Sequence, residues 1–319
     1  MKIAYDRRYN FPFSGWASRQ HPFDGRKYGR AWQRLRELVG TQIDSIRLAV
    51  PRAISDEELL LVHDPAYLQR LKRADVVARV VEVPQLAKVP GWLLDRLLLA
   101  PMRWATAGTI ITARAAIAEG LAVNLGGGFH HAKPAAGEGF CCYADVAIAA
   151  AVLRREGRLG PDDRIAYVDL DAHLGNGVAT CFHDDRRLFH FDLFHDGIYP
   201  AFDVAARERV DCLLPISGNA TGAEYLRTLR NRLPGFLDSV GRANPIRLAV
   251  YNAGTDVFVD DELGGLNCTA EDVLERDRFV VDELRSRRIP TLVVTSGGYS
   301  PRSYELIADS IAAWYHAGY

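Results

Sequence analysis

The chain has 319 residues, of which 48% are hydrophobic and 25% are charged, and its formal net charge is −1. This composition is typical of a globular protein with a sizeable core, and the length allows one large domain or two ordinary ones. A net charge so close to zero provides no strong field that would attract nucleic acid or an anionic membrane surface. We therefore expect no direct nucleic-acid partner, and the oligomeric state stays open.

The cysteines and the apolar segments indicate a reducing compartment. The five cysteines are odd in number and form no C-x-x-C motif, so we interpret them as free thiols. The first residues, MKIAYDRRYNF, lack the long apolar run of a secretory signal peptide. The most apolar long segment, residues 92–119, contains aspartate and arginine, and it predicts a buried helical region instead of a membrane span. We expect a cytoplasmic protein.

The first third of the chain predicts short helices. The segment GRAWQRLRELVG places its apolar residues on one helical face and ends at Gly40, a common helix terminator. Residues 55–58, SDEE, have the S-x-x-E form of a capping box. Asp64 followed by Pro65 is typical of an N-cap and a first helical position. Residues 76–90 show no clear period, and we expect a loop there.

From residue 121 onward, short apolar runs alternate with helical segments. This alternation predicts a single α/β domain over residues 1–319, with a mainly parallel β-sheet sandwiched by helices. We expect residues 1–115 to pack around the sheet. The apolar runs cover residues 121–125, 164–170, 188–193, 210–216, 246–252 and 291–296. The helical segments include one that ends near Gly157, one that opens with a capping box at Thr221 and Glu224, and one over residues 269–288.

Ionisable side chains and glycines directly follow four of these apolar runs. Ligands bind beyond the carboxyl ends of the strands in an open parallel sheet, so we expect a site there. Any one of these side chains alone would be an ordinary turn, cap or core residue, but four such strand ends at one edge indicate a functional site. The side chains are His130 and His131 (the tandem histidines), Asp169, Asp171 and His173, Asp256, and Tyr299.

Asp171, His173 and Asp256 form a candidate metal site. Two carboxylates and one imidazole suit a divalent ion such as zinc, with a fourth position open to water. Because two carboxylates offset the charge of the ion, such a site needs a nearby general base, and the tandem histidines are candidates. Tyr299 could donate a hydrogen bond to an oxyanion that develops during a reaction.

The motifs around these residues resemble those of zinc-dependent, histone deacetylase-type amidohydrolases, and more narrowly those of the class IV histone deacetylases. The resemblance implies the arginase/deacetylase α/β fold, with the active site at the carboxyl ends of the strands. It extends from residue 8 to residue 311, with the motifs in the expected order. The matching segments are RYNFPF, HPFDGRKYG, NLGGGFHHA, GEGFCCYADVAIA, DLDAHLGNG, FDLFHDGIYP, YNAGTDVFVDDELGGLNCT, RDRFV, TSGGYS and LIADSI.

The resemblance also implies roles for individual residues. One zinc ion per chain would occupy the candidate metal site, the tandem histidines would be catalytic, and Tyr299 would stabilise the oxyanion. Asp169 would orient His130. A structural potassium ion would be bound by Asp169, by Asp192 and by the backbone around Leu193. The tunnel for the acyl-lysine would be lined by Gly128, Gly139, Phe140 and Leu263.

Asn176 departs from the commoner pattern of the wider family, in which an aspartate orients the second histidine, but class IV members share this asparagine. A carboxylate partner favours an imidazolium, whereas a neutral amide does not. We therefore expect His131 to stay neutral near neutral pH and to serve as the base. His130, paired with Asp169, would more readily be cationic and would act electrostatically.

The implied reaction is hydrolysis of an N-acyl amide. The expected substrate is an acyl-lysine in a protein or peptide, with an acyl group between acetyl and a long fatty chain; the alternative is an acylated polyamine or another small N-acyl amine. An arginase-like ureohydrolase fits less well, because its second metal needs an aspartate where this chain has Gly175. An inactive acyl-lysine-binding module would typically lack Tyr299 or a metal ligand, and this chain has all of them.

Overall fold

The computed structural model describes residues 1–11 and 22–319. Parts of the matching segments RYNFPF and HPFDGRKYG fall on residues 12–21 and lie outside the described residues. The strands are β1 (Lys2–Ala4), β2 (Arg47–Leu48), β3 (Leu121–Asn124), β4 (Arg164–Asp169), β5 (Leu188–His195), β6 (Cys212–Ile216), β7 (Ile246–Asn252) and β8 (Thr291–Val294). They form one sheet in the order β2-β1-β3-β8-β7-β4-β5-β6, and every neighbouring pair is parallel. This sheet confirms the predicted α/β class.

Twelve α-helices accompany the sheet in the described part of the chain. The helices before β4 are α1 (Lys27–Val39), α2 (Asp56–Leu59), α3 (Pro65–Arg70), α4 (Ala74–Val80), α5 (Gly91–Leu94), α6 (Ala100–Glu119) and α7 (Asp145–Arg155). The helices after β4 are α8 (Asn176–Cys181), α9 (Val204–Arg209), α10 (Gly222–Gly241), α11 (Ala270–Ser286) and α12 (Ser303–His316). Short 3-10 helices cover Arg7–Tyr9, Thr41–Ile46 and Pro84–Lys88, and a π-helical turn at Asp95–Leu99 leads into α6.

All six predicted apolar runs form strands, which are β3 to β8. The sequence did not predict β1 and β2, because strands of three and two residues are too short to show a period. Both strands extend the sheet beyond β3. Residues 1–115 pack around the sheet and in addition supply one of its edges, which the sequence did not predict.

Three helices start at the predicted capping residues, and two of these starts have the predicted capping box. Capping boxes are present at residues 55–58 and 221–224, as predicted. Asp64 precedes Pro65 at the start of α3, but its side chain makes no capping hydrogen bond. The expected loop over residues 76–90 is wrong, because α4 and a 3-10 helix occupy most of it and bury their apolar residues in the core.

The core lies on both faces of the sheet. Side chains alternate along β4, so that Ile165 and Tyr167 belong to one apolar cluster while Ala166 and Val168 belong to the other. Helices α6 and α7 pack on the first face, and α1, α10, α11 and α12 cover the second. Because both faces are covered, the strands are almost continuously apolar, and polar side chains collect beyond their ends.

The apolar segment 92–119, which contains α6, packs in the core. This agrees with the prediction of a buried helical region instead of a membrane span. Among the described residues, no helix is both long and apolar enough to cross a membrane. All five cysteines are free thiols, as predicted, and Cys141, Cys142 and Cys268 are buried.

Candidate metal centre and active site

Most of the predicted site residues follow the carboxyl ends of four neighbouring strands. β3, β8, β7 and β4 are consecutive in the sheet and parallel, so their carboxyl ends form one edge. The segments after these strands carry the tandem histidines, Tyr299, Asp256, and the stretch that contains Asp171 and His173. The fold therefore brings together residues from distant parts of the sequence, as the strand-end pattern predicted.

Asp171, His173 and Asp256 converge on one point as candidate metal ligands. Nδ1 of His173 lies 3.1 Å from Oδ1 of Asp171 and 3.0 Å from Oδ2 of Asp256. All three side chains are buried, and one potential ligand atom of each lies within 4.8 Å of the others. The backbone N–H groups of Gly297 and Ala172 donate to Asp171 and Asp256 at 2.9 and 2.8 Å, which fixes both carboxylates. This set could hold a metal ion.

Gly254 and Gly297 leave room for the ligand carboxylates. A Cβ atom at Gly297 would lie 2.5 Å from Oδ2 of both Asp171 and Asp256. A Cβ atom at Gly254 would lie 2.4 Å from Oδ2 of Asp171. Any larger residue at these two positions would displace a candidate ligand, which is the physical reason for glycine in the TSGGYS and YNAGTD segments.

The candidate ligands concentrate negative charge in a buried site. Burial and the neighbouring carboxylate of Asp171 raise the pKa of Asp256 to about 7. Burial opposes a charge on His173, but hydrogen bonds to Asp171 and Asp256 outweigh it and raise the pKa of His173 to about 10. The two carboxylates therefore attract positive charge, and a bound divalent cation would satisfy them. Two carboxylates and one imidazole are a donor set that fits zinc.

His130 is paired with Asp169, the residue that the resemblance implies would orient it. Its Nδ1 lies 2.9 Å from Oδ2 of Asp169. The same carboxylate accepts hydrogen bonds of 2.7 Å from the hydroxyl of Tyr167 and from Nδ2 of Asn252, which hold it in place. Burial opposes a charge on His130, but Asp171 and Asp169 outweigh it and raise the pKa of His130 to about 9. This histidine is therefore readily cationic.

His131 faces the amide of Asn176. Its Nδ1 lies 2.8 Å from Oδ1 of Asn176, and its ring centroid lies 4.0 Å from that of His130. Burial, together with the nearby His130 and His173, lowers the pKa of His131 well below its ordinary value. The tandem histidines thus differ in charge, with the first readily cationic and the second neutral.

A pocket connects the tandem histidines with Tyr299. Of the four residues predicted to line an acyl-lysine tunnel, three line this pocket, namely Gly128, Gly139 and Phe140. Leu263 is not among the lining residues that the structure describes, and its side chain is partly exposed. The structure therefore brings most of the predicted tunnel residues to the same cavity as the candidate catalytic groups.

Aromatic rings form much of the pocket wall. Phe23 packs against Phe140 with ring centroids 4.5 Å apart. The ring of Tyr299 meets that of His173 edge to face at 6.3 Å, and the ring of Tyr199 approaches the second tandem histidine at 5.1 Å. Phe23 and Tyr199 were not predicted as site residues. Their presence in the matching segments HPFDGRKYG and FDLFHDGIYP was the one available indication.

Lys27, on α1, is buried beneath the loop that carries Tyr299. Its Nζ donates to the carbonyl oxygen of Ser296 at 2.7 Å and lies 3.5 Å from that of Gly298. Burial lowers the pKa of Lys27 to about 8, although Asp256 opposes this shift. Sequence reasoning missed this residue, because the helical pattern of its segment assigns it no partner. Its contacts with these two carbonyl groups stabilise the loop that carries Tyr299.

Arg276, on α11, supports the two loops that carry the candidate ligands. Its guanidinium donates to the carbonyl oxygens of Leu170 and Gly254 at 3.1 and 2.7 Å. The charge is balanced by Asp277, whose Oδ1 accepts from Nε of Arg276 at 2.8 Å. Both residues belong to the matching segment RDRFV, to which sequence reasoning assigned no role.

A second buried cluster of potential metal ligands consists of Asp169, His190 and Asp192. Asp169 and Asp192 are partners in the pairing of β4 with β5. Burial, reinforced by Asp169, raises the pKa of Asp192 well above its ordinary value. Asp169 and Asp192 are two of the residues predicted to hold potassium, and the third, Leu193, follows on β5 and is buried. His190 was not expected to belong to this group.

Comparison with known proteins decides the family. The family model described as the histone deacetylase domain matches residues 21–314. Histone deacetylase 2 of Arabidopsis thaliana is 36% identical over 311 residues, which cover 98% of this chain and 78% of that protein. The chain belongs to the histone deacetylase family. As a member of this deacetylase family it is a hydrolase, and zinc dependence is typical of the family.

Two solved structures show the same fold. The HDA15 HD domain superposes with a TM-score of 0.74 at 19% identity, over 99% of this chain and 90% of that chain. An acetylpolyamine aminohydrolase from Burkholderia pseudomallei superposes with a TM-score of 0.71 at 21% identity, over 99% of both chains. These similarities confirm the predicted arginase/deacetylase-like architecture.

Proposed function

We propose that this histone deacetylase family hydrolase uses one zinc ion to remove acyl groups from acyl-lysine side chains of proteins or peptides. The observation that carries the proposal is the convergence of Asp171, His173 and Asp256 beside His131, whose ring centroid lies 5.9 Å from that of His173. Asn176 at the second histidine supports a place among class IV enzymes.

Asp171, His173 and Asp256 would hold the zinc ion. Bound there, zinc would supply Lewis acidity that polarises the amide carbonyl and makes water more acidic. His131 is the group suited to take the proton of the attacking water. It is neutral, and since its Nδ1 is engaged by Asn176, its Nε2 is the nitrogen left to act as the base.

His130 and Tyr299 would stabilise the charge that develops as water attacks. The cationic form of His130 is favoured by Asp169 and places positive charge next to the reacting centre. The hydroxyl of Tyr299, which lines the same pocket, would donate to the oxyanion. A proton from one of the tandem histidines then allows the amine to leave.

Three further parts of the proposal rest on features of the fold. The buried carboxylates of Asp169 and Asp192 support a structural potassium ion that the backbone around Leu193 would also bind. The single sheet formed by the described strands supports one catalytic domain over residues 1–319. The free thiols support a reducing compartment, and we place the enzyme in the cytoplasm.

The proposal is tested with zinc-loaded protein and a substrate panel. The panel contains lysine peptides acylated with chains from acetyl to myristoyl, acetylated polyamines, and small N-acyl amines, each with and without chelator. We expect chelator-sensitive release of the free lysine peptide. If an acetylated polyamine were hydrolysed faster than every lysine peptide, the substrate would be a small N-acyl amine instead of an acyl-lysine.

Two outcomes would contradict the proposed reaction itself. Tight binding of acyl-lysine peptides without turnover of any substrate would indicate a binding module. Manganese-dependent release of urea from a guanidino substrate, with two metal ions per chain, would indicate a ureohydrolase instead.

A further inference from the structure

Asn176 lies between His131 and three charged side chains at the rim of the active site. On one side, its Oδ1 faces Nδ1 of His131 at 2.8 Å. On the other side, its Nδ2 donates to Oε1 of Glu138 at 2.6 Å and to Oδ2 of Asp203 at 3.1 Å. Lys133 bridges the same two carboxylates, with Nζ 2.8 Å from Glu138 and 3.0 Å from Asp203. We call Lys133, Glu138 and Asp203 the rim triad.

The rim triad determines which way the amide of Asn176 points. Ionised carboxylates only accept hydrogen bonds, so the amide must turn its NH₂ group toward them. Each of its two N–H bonds then has its own carboxylate partner, Glu138 for one and Asp203 for the other. Without them, an amide can rotate by half a turn and exchange its oxygen and nitrogen.

The orientation of Asn176 in turn determines the tautomer of His131. An amide oxygen only accepts, so the ring nitrogen that faces it must carry the proton. The proton of neutral His131 therefore lies on Nδ1, and Nε2 keeps its lone pair. A rotated amide would present NH₂ to Nδ1 and favour the opposite tautomer, in which Nε2 is protonated and cannot act as a base.

We propose that Glu138 and Asp203, held together by Lys133, are positioning residues that fix the amide of Asn176 and, through it, the Nδ1–H tautomer of His131. The proposal rests on the proposed function in one respect, namely the role of His131 as the base. A carboxylate at position 176 would fix this tautomer by itself. In this chain, position 176 is a neutral amide, and the carboxylates of Glu138 and Asp203 contact that amide instead of the histidine.

The charges of the rim triad are consistent with this role. Burial opposes the charge on Lys133, but its hydrogen bonds to Glu138 and Asp203 outweigh it and raise the pKa of Lys133. The ammonium thus offsets one of the two carboxylates beside a neutral Asn176. A third carboxylate at position 176 would face both of them with only one ammonium nearby. The rim triad therefore suits asparagine and disfavours aspartate.

The test replaces both carboxylates by amides of the same shape, in the variant Glu138→Gln/Asp203→Asn. Both side chains are partly exposed, and asparagine can still cap α9 as Asp203 does through its hydrogen bond from the backbone N–H of Ala206, so the variant should fold. The matched control is Glu208→Gln/Asp184→Asn, which removes the same charges at exposed positions.

The first measurement is the tautomer of His131, read from the ¹⁵N shifts of its ring nitrogens in metal-free and zinc-loaded protein and assigned with His131→Gln. The wild type and the control should show Nδ1–H, and Glu138→Gln/Asp203→Asn should show a mixture with Nε2–H. In zinc-loaded protein, kcat should fall about tenfold with KM unchanged. An Nε2–H tautomer in the wild type, or an unchanged tautomer in the variant, would overturn the proposal.

The second measurement repeats Glu138→Gln and Asp203→Asn in an Asn176→Asp background, where the sign of the effect should reverse. There, the two introduced amides would no longer repel the new carboxylate and would donate hydrogen bonds to it. Both kcat and thermal stability should therefore rise relative to Asn176→Asp alone. An equal fall in kcat and in thermal stability in both backgrounds would show that the rim triad contributes to stability alone, and it would refute the proposal.

These measurements distinguish an error about the rim triad from an error about the proposed function. A tautomer that shifts while kcat stays at the wild-type value would leave the positioning role of the rim triad standing and would remove His131 as the base. A tautomer that does not shift in an enzyme whose activity depends on zinc and Tyr299 would leave the proposed function standing and would remove the rim triad.

Discussion

The backbone N–H of Tyr299 donates a hydrogen bond of 2.6 Å to Oδ2 of Asp261. The same oxygen accepts from the N–H of Ser300 at 3.0 Å, and Oδ1 accepts from Leu263 and Gly264 at 3.0 and 3.1 Å. One buried carboxylate thus joins the loop after β8 to the loop that contains Leu263. The position of the tyrosine therefore depends on a residue that touches none of the reacting atoms.

Replacing Asp261 by asparagine should loosen this connection. The amide would turn an NH₂ group toward backbone N–H groups that need an acceptor, at a cost of about 1–3 kcal/mol in the free energy of unfolding. Because Tyr299 would shift, kcat should fall by up to about 100-fold. Chemical denaturation and steady-state kinetics measure the two effects. The exposed neighbour Asp260 provides the control variant Asp260→Asn, which should behave as the wild type.

Tyr299→Phe removes the hydroxyl proposed to stabilise the oxyanion and leaves the ring in place. We expect kcat to fall by roughly 10²–10³-fold, as for the loss of an oxyanion donor elsewhere. KM should change little, because the hydrogen bond is made mainly in the transition state. Tyr304→Phe, on the nearby helix α12, is the matched control. Retained wild-type turnover in Tyr299→Phe would remove the tyrosine from the mechanism.

Asn176→Asp should move the pH dependence of kcat. Burial, His130 and His173 keep the pKa of His131 well below its ordinary value in the wild type, which favours the deprotonated base. A carboxylate at position 176 would stabilise the imidazolium and raise this pKa. Since the base must be deprotonated to act, the rising limb of the profile should shift to higher pH. A profile identical to that of the wild type would contradict the assignment of His131 as the base.

Removing zinc should lower stability as well as activity. Asp171, Asp256 and His173 concentrate buried charge that the ion would satisfy, so the folded state should bind zinc much more tightly than the unfolded chain does. At free zinc of 100 times Kd, the stabilisation would be about 2.7 kcal/mol. Thermal unfolding with and without chelator measures it. Asp256→Asn should abolish the zinc-dependent shift in Tm, and Asp260→Asn should retain it.

Arg276→Met should destabilise the protein strongly. The substitution leaves Asp277 buried without its cation and frees the two carbonyl groups that Arg276 holds, at a cost of about 3–5 kcal/mol. Because those carbonyls lie in the loops that carry the candidate ligands, zinc affinity should fall as well. Arg278→Met, at an exposed position on the same helix, should have little effect in denaturation and zinc titration.

The sequence predicted β3 to β8 correctly because each of these strands has an apolar run of four or more residues. β1 and β2 were missed because they are too short to show alternation. The helix α4 was missed because its apolar residues lack a clear period, and tertiary packing supplies the stabilisation that the local pattern does not indicate.

The sequence predicted those residues of the candidate site that directly follow the end of a strand. The sequence alone places Asp171, His173 and Asp256 together, because their strands end at one edge of a parallel sheet. Lys27 and Asp261 could not, since their partners are backbone groups on loops far away in sequence. The contacts of Asn176 with Glu138 and Asp203 depend on how the start of α8 packs against two other segments, which neither spacing nor periodicity indicates.

The order of the strands has a consequence for synthesis of the protein on the ribosome. β8 is the last strand of the sheet in the chain, yet it lies between β3 and β7 near the middle. Until it is inserted, the group β2-β1-β3 and the group β7-β4-β5-β6 share no strand pairing. Gly297, whose backbone N–H holds Asp171, and Tyr299 also follow β8 in the chain. The candidate site therefore has all of its residues only after nearly all of the chain has been made.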